Sequence, residues 1–255
     1  MSADERDAFS DRCEPGGRHA RDGGPWCRHE TNLAPNGRSL GIVFAPSSSF
    51  ERTAWRSRAA ARPRGRRRVK RVDAMRAVYG DLDGCAVVTI MGAVAAELQS
   101  IGHKASFFYL QHAMGLASSM GLGVALSKPN LKVVVFDGDG SLLMNLGGLT
   151  TLARYRPKNL VHVVFDNESL LSVGGFPTAT STGSDLAGIA RAAGVPRTST
   201  VTALDDFRSQ FVAAKNANEL TTIVAKVEAV GPSAYVTDLS LLENRYQFAR
   251  YLRGV

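Results

Sequence analysis

The clearest pattern along the chain is an unbroken apolar, β-branched run, Leu131-Lys132-Val133-Val134-Val135-Phe136-Asp137, which follows the turn residues Pro129-Asn130. A run of this kind reads as a strand buried on both faces, and so as a central member of a parallel sheet. After Gly138-Asp139-Gly140-Ser141, the positions Leu142, Leu143, Leu146, Leu149, Leu152 and Ala153 fall at helical spacing and predict one helix that ends before Pro157. Leu160 to Phe165 repeats the buried-strand pattern and stops at Asp166-Asn167. The unit is strand, helix, strand, with the right-handed crossover that such units take.

The same reading extends outward. Tyr109 to Leu126 predicts a long helix whose Gly115, Ala117, Ser118, Ser119, Gly121, Gly123 and Ala125 keep its surface small enough to approach a sheet, a cofactor or another subunit. Helices are predicted over Asp185 to Ala193, Asp205 to Ala214 and Ser240 to Leu252, and a strand over Thr221 to Glu228. Alternating strands and helices give an α/β fold with a doubly wound parallel sheet.

Composition changes this picture at one place. The 255 residues carry a formal charge of +8, of which +7 falls on residues 1–74 and +1 on residues 75–255. Residues 1–74 are rich in Arg, Gly, Ser and Pro and show no sustained periodicity, so they are expected to form a disordered extension that cannot bury enough apolar surface to fold. The folded domain is expected over 75–255, with translation of the native protein beginning near Met75. Because the core is nearly neutral, no nucleic-acid partner is expected. Three cysteines, with Cys85 alone in the core, support neither a disulfide framework nor a paired-cysteine zinc site. No apolar run reaches the roughly 18 residues of a membrane span, and the N-terminus lacks a secretory signal, so a cytoplasmic protein with no membrane contact is expected.

The chemistry is concentrated after the central strand. A glycine turn leading into a helix exposes backbone amides that can hold a phosphate, and Gly138 and Gly140 fit that role. A dinucleotide loop needs a third glycine at position 143, which is Leu143. The intervening Asp139 would repel a phosphate unless a cation lay between them. The 28 positions from Asp139 to Asn167 allow one helix and one return strand, which puts both residues at the carboxyl edge of the sheet, where such folds bind ligands. Carboxylate, amide and phosphate oxygens are hard donors suited to octahedral magnesium, with calcium as a competitor.

Gly138-Asp139-Gly140-Ser141 followed by Asp166-Asn167 resembles the motif of thiamine-diphosphate-dependent enzymes, a GDG and then, about two dozen residues on, a pair usually written NN. The stretch from Phe107 to Thr178 resembles the β-subunit of sulfopyruvate decarboxylase and the related phosphonopyruvate decarboxylases, through Leu110-Gln111-His112-Ala113-Met114-Gly115 and Gly174-Gly175-Phe176-Pro177-Thr178. The resemblance implies a thiamine-diphosphate-binding fold, with thiamine diphosphate and magnesium as cofactors. It implies that Asp139 and Asn167 bind the metal through side chains and Ser169 through its carbonyl. Gly140 and Ser141 would contact the diphosphate, Met114 would prop the cofactor in its bent form, and the backbone of His112 would face the aminopyrimidine, its side chain being the candidate for catalytic proton transfer.

Two positions depart from the family pattern. Asp166 stands in place of the first Asn, and Glu168-Ser169-Leu170-Leu171 stands where close relatives usually have a glycine and a different loop. The family's activating glutamate lies on a pyrimidine-binding domain, for which residues 75–255 have no room. The resemblance therefore implies a separate pyrimidine-binding subunit, a hetero-oligomer and a small 2-keto acid substrate that is decarboxylated. Two alternatives keep the fold: an acetolactate synthase-like carboligase or oxidoreductase subunit, and a non-catalytic nucleotide-binding or scaffold relative.

Overall fold

A computed structural model of the chain describes residues 69–232 and 239–255. The expectation for the extension lies, as far as residue 68, outside the described residues.

The central sheet is parallel throughout. Strands β1 (Ala86–Thr89), β2 (Phe107–Tyr109), β3 (Val133–Gly138) and β4 (Leu160–Asp166) are followed by a two-stranded antiparallel hairpin, β5 (Ser169–Leu170) and β6 (Phe176–Pro177). Strands β7 (Arg197–Val201) and β8 (Thr221–Lys226) complete the sheet, whose order is β2-β1-β3-β4-β8-β7. β3 and β4 are direct neighbours in the middle, with Gly138 opposite Phe165, and nearly every residue in them is buried, as their β-branched composition requires.

Helices cover both faces, because side chains alternate along each strand. On the face of Phe136 and Phe165 lies α7 (Leu204–Asn216). Phe207 and Phe211 from this helix pack against Phe165 and Phe136 at centroid distances of 6.0 and 6.4 Å. On the opposite face lies α3 (Ala117–Ser127), so close that a Cβ on Gly121 would stand 2.2 Å from Val135 Cγ2. The small residues of this helix are what allow that approach.

Three elements differ from expectation. The helix predicted from Tyr109 begins at Ala117: Tyr109 ends β2, and the intervening turn takes left-handed φ at His112 (53°) and Gly115 (85°). The stripe from Leu142 to Ala153 is two helices, α4 (Asp139–Met144) and α5 (Gly147–Tyr155). The break falls at Asn145, whose side-chain amide leaves the helix to donate to Gly115 O at 2.9 Å, beside the flexible pair Gly147-Gly148. The short strands β1, β2 and β7 carry too few residues to set a period and had no counterpart in the sequence reading.

The composition boundary at Met75 falls within α1 (Arg71–Val78), and the residues just before it take part in the fold. Val69 bridges to Val227, and Arg71 forms a buried two-point ion pair with Glu97 of α2 (Ala93–Ile101), both contacts at 2.8 Å. After α6 (Leu186–Ala192), the chain closes with α8 (Leu241–Arg253), capped at its start by Ser240, whose hydroxyl accepts from Glu243 N–H. Buried Asn244 on α8 accepts from Tyr109 N–H at 3.0 Å and donates to Phe107 O at 2.7 Å, so its amide serves the outer edge of β2 as a further strand would. No helix among the described residues is long and apolar enough to cross a membrane.

Candidate cofactor and metal site

The carboxyl edge of β1, β3 and β4 opens into one cleft. Gly138, Asp139, Gly140, Ser141, Asn167, Ser169 and Met114 all line it, together with Arg71 and the residues from Ile90 to Val94. The neighbouring β3 and β4 end in step, which brings the two halves of the motif together across 28 residues of chain. His112 is exposed on the turn before α3 and is not among the lining residues.

Each part of the site is held by a specific contact. Asp139 is 3% exposed, and its Oδ2 accepts from the Thr178 hydroxyl at 2.6 Å, with the Thr180 hydroxyl at 3.3 Å. Burial pushes the Asp139 carboxyl above its ordinary value; the bond from Thr178 lowers it, and the nearby charge of Asp166 raises it. Asn167 Oδ1 accepts from Ser169 N–H at 3.0 Å, which tightens the turn after β4. Ser141 Oγ accepts from Gly115 N–H at 3.0 Å and retains its own proton to donate. That bond and the Asn145 amide tie the turn carrying Met114 to α4. At Gly140 a Cβ would meet Leu170 Cδ2 at 2.2 Å, so the chain passes tightly under the hairpin there.

The donors suit a hard cation. Among the described residues no group of three or more His, Cys, Asp and Glu side chains gathers to form an all-protein metal cage. What the cleft offers is one carboxylate, one amide oxygen and backbone oxygens, the incomplete set that magnesium takes up when a ligand's phosphates and water fill the other positions. A divalent cation at Asp139 would also relieve the like-charge contact with Asp166 that burial makes unfavourable. Around Gly138 a Cβ would meet nothing within 4 Å, so this turn has open space beside the backbone for a diphosphate.

Sequence reasoning missed Thr178, Thr180, Lys226 and Arg71. Thr178 fell within a quoted stretch but carried no role. The two threonines reach Asp139 only because the β5–β6 hairpin folds back, with Thr178 N–H donating to Glu168 O at 3.2 Å. His162, with no role assigned from sequence, is buried in β4 with Nε2 3.4 Å from Asp137 Oδ2. His103 joins Tyr109 to Gln247, a link between β2 and α8 away from the cleft.

Residues 84–225 match the thiamine pyrophosphate enzyme, C-terminal TPP binding domain. The chain is 33% identical over 185 residues to the sulfopyruvate decarboxylase subunit beta of Methanocaldococcus jannaschii, covering 72% of this chain and 97% of that one. It is 40% identical over 158 residues to the phosphonopyruvate decarboxylase of Streptomyces viridochromogenes, covering 62% of this chain but 38% of the relative. Two solved structures share the fold: a thiamine diphosphate-dependent 4-hydroxybenzoylformate decarboxylase of Rhodococcus jostii (TM-score 0.55, 21% identity) and the benzoylformate decarboxylase of Polynucleobacter necessarius (TM-score 0.53, 19% identity). Each aligns with 64% of this chain, which spans about a third of their length.

Proposed function

This chain belongs to the thiamine pyrophosphate enzymes through their C-terminal TPP-binding domain, and on that premise we propose that it is the diphosphate- and magnesium-binding subunit of a 2-keto acid decarboxylase. The observation that carries the reading is the convergence of Asp139, Asn167, Ser169 and Met114 on one cleft at the carboxyl edge of two adjacent strands. Asp139 and Asn167 hold magnesium with their side-chain oxygens and Ser169 with its carbonyl. Gly138 and Gly140 offer backbone and Ser141 a hydroxyl to the diphosphate. Met114, fixed through Gly115 to Ser141 and Asn145, supports the cofactor's bend, and His112, exposed on the same turn, is the candidate for proton transfer. Thiamine diphosphate, when bound, supplies the electron sink for loss of carbon dioxide from the keto acid.

Size supports a companion subunit. The open cleft has a volume of about 80 Å³, whereas ligand sites span roughly 300–1,000 Å³, and a companion would supply a second surface over the cofactor. Exposed apolar side chains at Leu116, Met144, Val173 and Phe176 lie on the turns and hairpin next to cleft residues and suit such a contact. The companion carries the pyrimidine-binding domain and its glutamate, and the relative that this chain nearly spans is itself named a beta subunit. Sulfopyruvate and phosphonopyruvate are the first substrates to try, from the names of the relatives.

The test is to isolate the tagged chain from its own host, identify its companion by native mass spectrometry, and assay the complex with thiamine diphosphate, magnesium and each 2-keto acid. Carbon dioxide and the matching aldehyde are the expected products. Carboligated products would move the reading to the carboligases, and a lone chain without cofactor would defeat it.

A further inference from the structure

Asp166 puts a buried negative charge at the carboxyl end of β4, and the fold places a cation against it. Asp166 and Lys226 are cross-strand partners of β4 and β8, with Lys226 Nζ 2.5 Å from Asp166 Oδ2 and 3.5 Å from Glu168 Oε1. Asp166 is 1% exposed and the Lys226 side chain 22%, so the pair is only partly open to water.

The other carboxylate oxygen holds the turn after β4 and the segment after the hairpin. Asp166 Oδ1 accepts from Glu168 N–H at 3.1 Å and from the Thr180 hydroxyl at 2.8 Å. Glu168 is held at φ 60°, a left-handed conformation that costs a non-glycine residue free energy and persists only when surrounding contacts impose it. The residues on either side of it, Asn167 and Ser169, are the proposed metal donors. Thr180 stands 2.9 Å from Thr178 and 3.3 Å from Asp139 Oδ2, so a single threonine pair separates two buried carboxylates.

From this arrangement, and resting on the cofactor reading given above, we infer that Lys226 is a positioning residue for the metal site. By pairing with Asp166 it fixes the 166–169 turn that presents Asn167 and Ser169, and holds the acceptor that keeps Thr180 in place beside Thr178 and Asp139. The charge at Asp166 and the cation at Lys226 work as one unit.

The experiment is a charge-compensation cycle on the full chain, purified from its own host with its companion. Thiamine diphosphate is titrated calorimetrically at saturating magnesium, and magnesium at saturating cofactor, with a melting curve for each variant. Lys226→Met should weaken cofactor and metal binding at least tenfold, and Lys226→Arg should stay within about threefold of the wild type. The decisive variant is Lys226→Met combined with Asp166→Asn, which restores a neutral acceptor and should recover affinity to within about threefold. Lys226→Gln replaces Lys226→Met if the latter does not fold. Binding by Lys226→Met equal to wild type, or a double variant no better than Lys226→Met, overturns the inference alone. A wild-type complex that takes up neither ligand overturns the functional reading and this inference with it.

Discussion

The hydroxyl of Thr178, on the far arm of a small hairpin, donates to Asp139 Oδ2 at 2.6 Å, and so fixes the carboxylate that ends the central strand. The same oxygen lies 3.3 Å from the Thr180 hydroxyl. Thr178→Val should weaken magnesium-dependent binding of thiamine diphosphate by roughly 10- to 100-fold, the usual loss for a contact that orients a ligand residue. Calorimetric titration checks this; unchanged affinity would show that packing alone orients Asp139.

Asp139→Asn should separate stability from function. Burial raises the Asp139 carboxyl, so the cofactor-free native state holds its proton more tightly than the unfolded chain does. The stability associated with that proton is full below the unfolded value and is lost as pH rises through the raised folded value. At neutral pH the asparagine variant should therefore melt higher than the cofactor-free wild type, while losing magnesium binding. A lower melting temperature at neutral pH would contradict this sign.

Arg71 and Glu97 bear on where the folded unit starts. Their pair is buried at both ends, so Arg71→Met leaves an unpaired buried carboxylate and should cost about 3–5 kcal/mol. Arg71→Met with Glu97→Leu should recover much of the loss. A chain beginning at Met75, the start expected from composition, should show the same deficit in urea unfolding, and an N-terminal peptide map of the native protein decides which start is used.

Asn244 offers a test of the sheet edge. Its amide serves Tyr109 N–H and Phe107 O, so Asn244→Leu strands two buried backbone groups. The expected loss is about 1–3 kcal/mol for each group left unpaired. Hydrogen exchange at the Tyr109 amide should accelerate more than exchange in β3 or β4.

The sequence by itself determined the parts whose physics is local. Long buried strands at Leu131–Asp137 and Leu160–Phe165 need β-branched residues on both faces, and a Gly-Asp-Gly turn between strand and helix leaves few chemistries open. These sufficed for the α/β class and the central βαβ unit; resemblance of the motif to a known family added the cofactor and a candidate set of ligands, of which all but the exposed His112 line one cleft. Tertiary structure alone decided what depends on contacts between distant residues. Asn145 breaks the expected helix because its side chain is drawn to Gly115, thirty positions away. Thr178 and Thr180 reach Asp139 across 39 and 41 positions, and Lys226 reaches Asp166 across 60. A hydroxyl or an ammonium carries no periodic mark of its eventual partner. Such pairs form because a buried charge must find a donor or a counter-ion, and only the strand order β3-β4-β8 and the returning hairpin place those partners within reach.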